Sequence, residues 1–194
     1  MSKPAEEVTH TEQPENDAAS SAAFVVKPPP LPLPPALLAK DAIWSQKLAI
    51  RGQRRSWRLL AWLLARSGDS VFWVAVCVVA LLQRATLGWN LMWTITATAV
   101  TVYISKGIYK RERPSGPGRD FGADKYAFPS GHAARVTAVA ITLSFLYPLW
   151  TAVFLLWATA VALARVVLAR HFLTDIAGGA VVGTAVGLLL QLFL

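Results

Sequence analysis

Charged residues are distributed so unevenly that they divide the chain on their own. None of Asp, Glu, Lys or Arg occurs from Ser70 to Gln83, Ala85 to Ser105, Val136 to Ala164 or Ile176 to Leu194, runs of 14, 21, 29 and 19 residues. A bilayer core of about 30 Å takes roughly 20 apolar residues per helix. In hydrocarbon the backbone must satisfy its own polar groups, which favours helix in such runs. The longest run holds Tyr147-Pro148 near its middle, where proline interrupts a helix and suits the turn between two antiparallel spans. The pattern predicts an all-α integral membrane helix bundle of about five spans, near 70–84, 86–106, 131–147, 149–166 and 175–194. In the last of them Gly179, Gly183 and Gly187 recur on one face. Such a stripe allows close backbone approach, either inside the bundle or across a homodimer seam.

The chain ahead of the spans is a different material. Met1 to Ala23 is acidic, small and polar, and Lys27 to Pro35 is largely proline, a composition that favours extended polyproline II and cannot build a core. Residues 1–45 are therefore expected to form a disordered tail, and 46–194 a membrane-embedded domain. Within 46–68, Trp57 to Arg66 mixes leucine and tryptophan with arginine, as in a helix lying in the headgroup plane.

Composition agrees with the pattern. The chain is 55% hydrophobic and 15% charged, with mean hydropathy +0.45, whereas soluble domains carry about a quarter charged residues. A single cysteine, Cys77, excludes an internal disulfide framework and a Cys-rich zinc site. The net charge of +8 suits an anionic membrane surface or a phosphorylated substrate. Nucleic acid is not expected as a partner, because the aromatic residues lie within or beside the apolar runs rather than on a basic soluble face.

Ionisable residues clustered at the ends of membrane helices point to a functional site. Three such clusters occur: Lys106 to Pro114, Phe128 to His132, and Arg165 to Asp175. Lys106 and Arg113 are seven residues apart, and on a continuous helix they share a face, about 10.5 Å apart along the axis. Ser130 is a natural N-cap for the helix that follows, whose free N–H groups make an anion site. Gly131 lets an oxyanion approach the backbone, and His132 beside it can give a proton to a leaving oxygen. His171 and Asp175 are four apart, so the carboxylate can hold one imidazole nitrogen while the other acts as base or nucleophile. Arg165 adds a forked donor suited to phosphate.

The order and spacing Lys106-x6-Arg113-Pro114, Pro129-Ser130-Gly131-His132 and Arg165-x5-His171-x3-Asp175 resemble the three-part signature of the type 2 phosphatidic acid phosphatase superfamily, which also includes vanadium haloperoxidase-like enzymes. One departure is Ala164, where the family often has serine. The resemblance implies a phosphoric ester or diphosphate hydrolase in which His171 attacks phosphorus, Asp175 orients it and His132 serves as acid and base. Lys106, Arg113, Ser130, Gly131 and Arg165 would bind the phosphoryl oxygens. It implies no metal and no cofactor.

Asp124 to Arg135 and Ser67-Gly-Asp-Ser-Val-Phe-Trp73 are similar to the polyisoprenoid (presqualene) diphosphate phosphatase branch, implying an isoprenoid phosphate or diphosphate substrate. Phosphatidic acid or phosphatidylglycerophosphate hydrolysis, and phosphotransfer to a second lipid, stay open alternatives. A non-catalytic lipid-binding protein would be favoured by loss of a signature residue, and none is lost. With five spans, sixteen basic residues flank the site-bearing side and one the other, so the positive-inside rule puts the active site on the cytoplasmic face.

Overall fold

The computed structural model describes residues 33–51, 54–83, 86–114 and 125–193. Residues 1–32, which hold most of the expected tail, and 115–124, the centre of the loop after the first cluster, lie outside the described residues. The elements are α1 (Pro35–Arg51), α2 (Arg55–Ser67), α3 (Ser70–Leu82), α4 (Thr86–Tyr109), α5 (Gly131–Leu146), a short 3-10 turn (Pro148–Trp150), α6 (Thr151–Val167) and α7 (Leu173–Leu190). Among the described residues there is no strand, only an isolated bridge between Glu112 and Tyr126.

The expected helices at 70–84 through 175–194 correspond to α3 to α7, and the break falls at Tyr147-Pro148 as the proline requires. Fewer of them pass as full crossings by length and apolarity alone. Pro148–Val167 and Leu173–Leu190 qualify singly, whereas α2 and α3, bent by 42°, qualify only when taken together. α4 has 24 residues but carries Asn90 and five threonines, and α5 has 16 residues. Asn90, Thr94 and Thr98 face inward, and the hydroxyls of the buried Thr94 and Thr142 lie 2.9 Å apart across the α4–α5 seam.

The boundary at residue 45 is also displaced. The chain turns helical at Pro35, where proline at the first helical position has its φ preset for helix, and Ala36-Leu37-Leu38-Ala39 are strong helix formers. One face of α1 is buried at Leu38, Asp41 and Ser45, so α1 belongs to the bundle. The segment 46–68 accordingly divides between the end of α1 and α2 instead of forming one interfacial helix.

α5 is the central helix, packed by α4, α6 and α7, with Val136, Ala138, Val139 and Ala140 fully buried. The glycine stripe of α7 lies against it. A Cβ at Gly179 would stand 2.5 Å from the Ser130 carbonyl oxygen, and one at Gly187 3.1 Å from Ile141 Cβ. At Gly183 it would collide with the Ala134 carbonyl. This face is therefore taken up within the bundle and does not provide the homodimer seam. The outward side chains are apolar, from Val71 and Val78 on α3 to Leu149, Leu156 and Val181. They suit a lipid surround, and the chain is an integral membrane protein. Alternation of direction brings the end of α4, the start of α5, the end of α6 and the start of α7 to one end of the bundle.

Candidate active site

The first cluster does not form one helix. α4 closes with the Lys110 N–H bonded to the Lys106 carbonyl at 3.1 Å, and Lys110 then turns left-handed at φ 44°. Lys106 thus stands in the last helical turn and Arg113 beyond it, correcting the expectation of a shared helix face. The extended segment is fixed by the Glu112–Tyr126 bridge and by the Ala127 N–H donating to the Arg111 carbonyl at 2.7 Å. Arg113 is buried, and its Nη1 reaches the Arg170 carbonyl at 3.5 Å, joining the first cluster to the third.

In the second cluster Ser130 caps α5 as expected, its Oγ accepting from the Ala133 N–H at 3.4 Å. Its own N–H donates to the Asp175 carbonyl at 2.9 Å, so the second and third clusters meet through the backbone. Gly131 opens the helix. His132 follows, with Nε2 2.8 Å from Asp69 Oδ1.

The third cluster begins where α6 ends. The Arg170 N–H bonds to the Arg165 carbonyl at 2.9 Å and the Ala169 N–H to that of Val166 at 2.7 Å, with Ala169 at φ 52°. This paired pattern around a left-handed residue is a Schellman end, and it reverses the chain so that His171 turns inward. Asp175, in the first turn of α7, accepts from the Phe172 N–H at 2.8 Å through Oδ2. The same oxygen is 3.7 Å from His171 Nδ1, beyond hydrogen-bond length.

His171 is almost wholly buried, and burial pushes its pKa down to about 4. The charges of Arg113 and Arg165 add to that effect and Asp175 opposes it. Arg165 also acts electrostatically on His132. One positive charge therefore acts on both imidazoles.

Three acidic or basic groups near the site were not singled out from the sequence. Arg111 is 2% exposed and donates to Asp175 Oδ1 at 2.7 Å and to Asp41 Oδ2 at 3.0 Å. It also stacks 4.4 Å over the Phe172 ring. Thr174 completes the network, accepting from Arg111 at 2.5 Å and donating to Asp41. Asp41 sits on α1 and Asp69 at the break between α2 and α3. Arg111 stands among a run of cations, and its two carboxylate partners, remote in the sequence, are what set it apart. Asp41 falls in what composition marks as tail. Among the described residues no group of three or more His, Cys, Asp or Glu gathers as for a metal ion.

The all-α bundle thus gathers two imidazoles, carboxylates and arginines at one end of its helices. The chain belongs to the PAP2 superfamily, whose model matches residues 87–194. It is accordingly a membrane lipid phosphatase, a hydrolase of phosphoric esters. The fold is similar to that of a transmembrane PAP2 type phosphatidylglycerolphosphate phosphatase from Bacillus subtilis, with TM-score 0.72 and 19% identity over 82% of this chain and 87% of that one. It is also similar to Aquifex aeolicus LpxE, with TM-score 0.66 and 21% identity over 76% of this chain and 92% of the other.

Proposed function

We propose that the chain hydrolyses the phosphate monoester or diphosphate of an isoprenoid lipid through a phosphohistidine on His171. The observation that carries this reading is the buried His171 beside Asp175, in a third cluster joined to the first by the Arg113–Arg170 contact and to the second by the Ser130–Asp175 backbone bond. Burial keeps the ring free of a proton at neutral pH, the state a nucleophile needs. Attack forms an N–P bond while the P–O bond to the lipid breaks, and His132 protonates the departing oxygen. Water then attacks phosphorus as His132 takes its proton, and His171 is released. Lys106, Arg113, Arg165 and the Gly131 N–H hold the phosphoryl oxygens and stabilise the charge that builds between the two steps. The Ser130 hydroxyl is turned back on α5, where it sets the direction of those N–H groups. The 3.7 Å gap between His171 and Asp175 closes in the substrate complex, as catalytic hydrogen bonds do. No metal or cofactor enters the cycle.

The isoprenoid assignment rests on the residues Ser67 to Trp73 and Asp124 to Arg135. Phosphatidylglycerophosphate is the second reading, favoured by the likeness in fold to the Bacillus subtilis phosphatidylglycerolphosphate phosphatase. A panel of farnesyl diphosphate, farnesyl phosphate, phosphatidic acid and phosphatidylglycerophosphate, assayed for phosphate release, separates them. Farnesyl substrates should show the highest kcat/KM. Replacing His132 with Ala should slow turnover by roughly 10²–10⁴, and His171→Ala should abolish it; full activity in His171→Ala refutes the mechanism. The positive-inside count favours a site on the cytoplasmic face. Reporter fusions after residue 120 and at the C-terminus should report opposite sides, the first cytoplasmic; the reverse would overturn the orientation.

A further inference from the structure

The turn Ser67-Gly68-Asp69, where the α2–α3 pair bends by 42°, is held more firmly than a bend needs. Trp73 Nε1 of α3 donates to the Ser67 carbonyl at 2.9 Å, and Trp157 Nε1 of α6 to Ser67 Oγ at 3.0 Å. Arg135 of α5 donates to the Gly68 carbonyl at 3.0 Å. Gly68 is pressed so close to α5 and α6 that a Cβ there would lie 2.7 Å from Val161 Cγ1 and 3.0 Å from Val136 Cγ1. Three helices thus fix the position of one short turn.

What the turn presents is a carboxylate. Asp69 occupies the N-cap position of α3, yet its side chain makes no cap hydrogen bond. Aspartate at such a position ordinarily accepts from the second or third helical N–H, and here that bond is forgone. The carboxylate instead lies between α5 and α2, with Oδ1 2.8 Å from His132 Nε2 and Oδ2 3.5 Å from Arg66 Nη1.

We propose that Asp69 is a positioning residue for the phosphatase reaction, holding the Nε2–H of His132 so that Nδ1 is the nitrogen that exchanges a proton with the substrate. The inference rests on the acid–base role given to His132 above. When the P–O bond to the lipid breaks, the oxygen takes the Nδ1 proton of the imidazolium, leaving a neutral ring whose Nε2–H still donates to Asp69. In the second step the proton of the attacking water returns to Nδ1. Asp69 changes neither charge nor covalent structure; it fixes the ring and stabilises its cationic form. The site then has two imidazole–carboxylate pairs, with His171–Asp175 serving the nucleophile and His132–Asp69 the proton.

The test exploits the fact that a poor leaving group needs a proton and a good one does not. Wild type, Asp69→Asn, Asp69→Glu and His132→Ala are assayed in detergent on decyl phosphate and 4-nitrophenyl phosphate, with the thermal midpoint of each recorded. Asp69→Asn should lose about 10² in kcat on the alkyl ester and much less on the aryl ester, with KM little changed. Asp69→Glu should recover part of the alkyl activity. Equal losses on both esters, or no loss on the alkyl ester, would overturn the proposal, since a merely structural role cannot distinguish leaving groups. If Asp69→Asn fails to fold, the same ratio is read in Asp69→Glu. His132→Ala separates the two levels. If it shows the leaving-group dependence and the Asp69 variants do not, only the role of Asp69 falls. If it shows none, the acid role of His132 falls and Asp69 with it.

Discussion

Replacing Arg111 with Leu is the most informative single perturbation of stability. In the native structure one guanidinium is shared by two carboxylates, Asp175 at 2.7 Å and Asp41 at 3.0 Å, and all three side chains are 0–2% exposed. At an effective dielectric near 20 each attraction is worth on the order of 5 kcal/mol, much of it offset by the desolvation of the ions. The loss on truncation is larger than the net worth of the network, because the two carboxylates stay buried without their counter-charge. Breaking a buried pair in this way costs roughly 3–5 kcal/mol. For a chain of this size that corresponds to a fall of roughly 6–20 °C in the melting midpoint. Differential scanning fluorimetry of the detergent-solubilised protein measures it. Asp41→Asn combined with Arg111→Leu should cost less than the sum of the single changes, since part of the penalty in each is the charge left behind. A midpoint within about 2 °C of wild type for Arg111→Leu would refute the reasoning, by showing that the carboxylates find water or move apart.

Three further outcomes are expected. His171 is held below its ordinary pKa, at about 4, chiefly by burial; its contribution to stability is therefore present above pH 6.5 and lost as pH falls through 4, and the acid limb of kcat/KM should lie nearer 4 than 6.5, as a pH–rate profile would show. Gly179→Ala places a methyl against the Ser130 carbonyl oxygen and should destabilise by about 1–3 kcal/mol while lowering kcat, because Ser130 begins the second cluster; urea or thermal unfolding together with phosphate release tests both. Phosphate release in EDTA should equal that in buffer, and recovery only on adding Mg²⁺ would contradict a site whose positive charge comes from Lys106, Arg113 and Arg165.

The helices were legible where charge is absent over long runs, because a bilayer rewards apolar length and little else. The family was legible because the order and spacing of the three clusters resemble one signature. What could not be read was set by tertiary contact. α4 stops at Tyr109 instead of reaching Pro114 because Lys110 adopts a left-handed conformation, and no breaker residue announces it. α1 begins inside a proline-rich composition, which hides a helix that proline itself can start. Asp41 and Asp69 acquire their meaning only from Arg111 and His132, 70 and 63 residues away along the chain. Ser67 to Trp73 was legible only as a resemblance; the structure supplies its physical content, a turn gripped by two indoles and a guanidinium. The choice between bundle packing and a dimer seam for the glycine stripe likewise needed the position of α5.

Both carboxylates that reach into the site from outside its signature come from sequence preceding residue 87, where the family match begins. Excised, the portion that bears every recognisable emblem of the family would leave the buried Arg111 with Asp175 alone of its two carboxylates and His132 without Asp69. In this chain the leading helices behave less as an anchor than as the missing jaw of a vice, and grafting the signature onto another scaffold would require carrying them along.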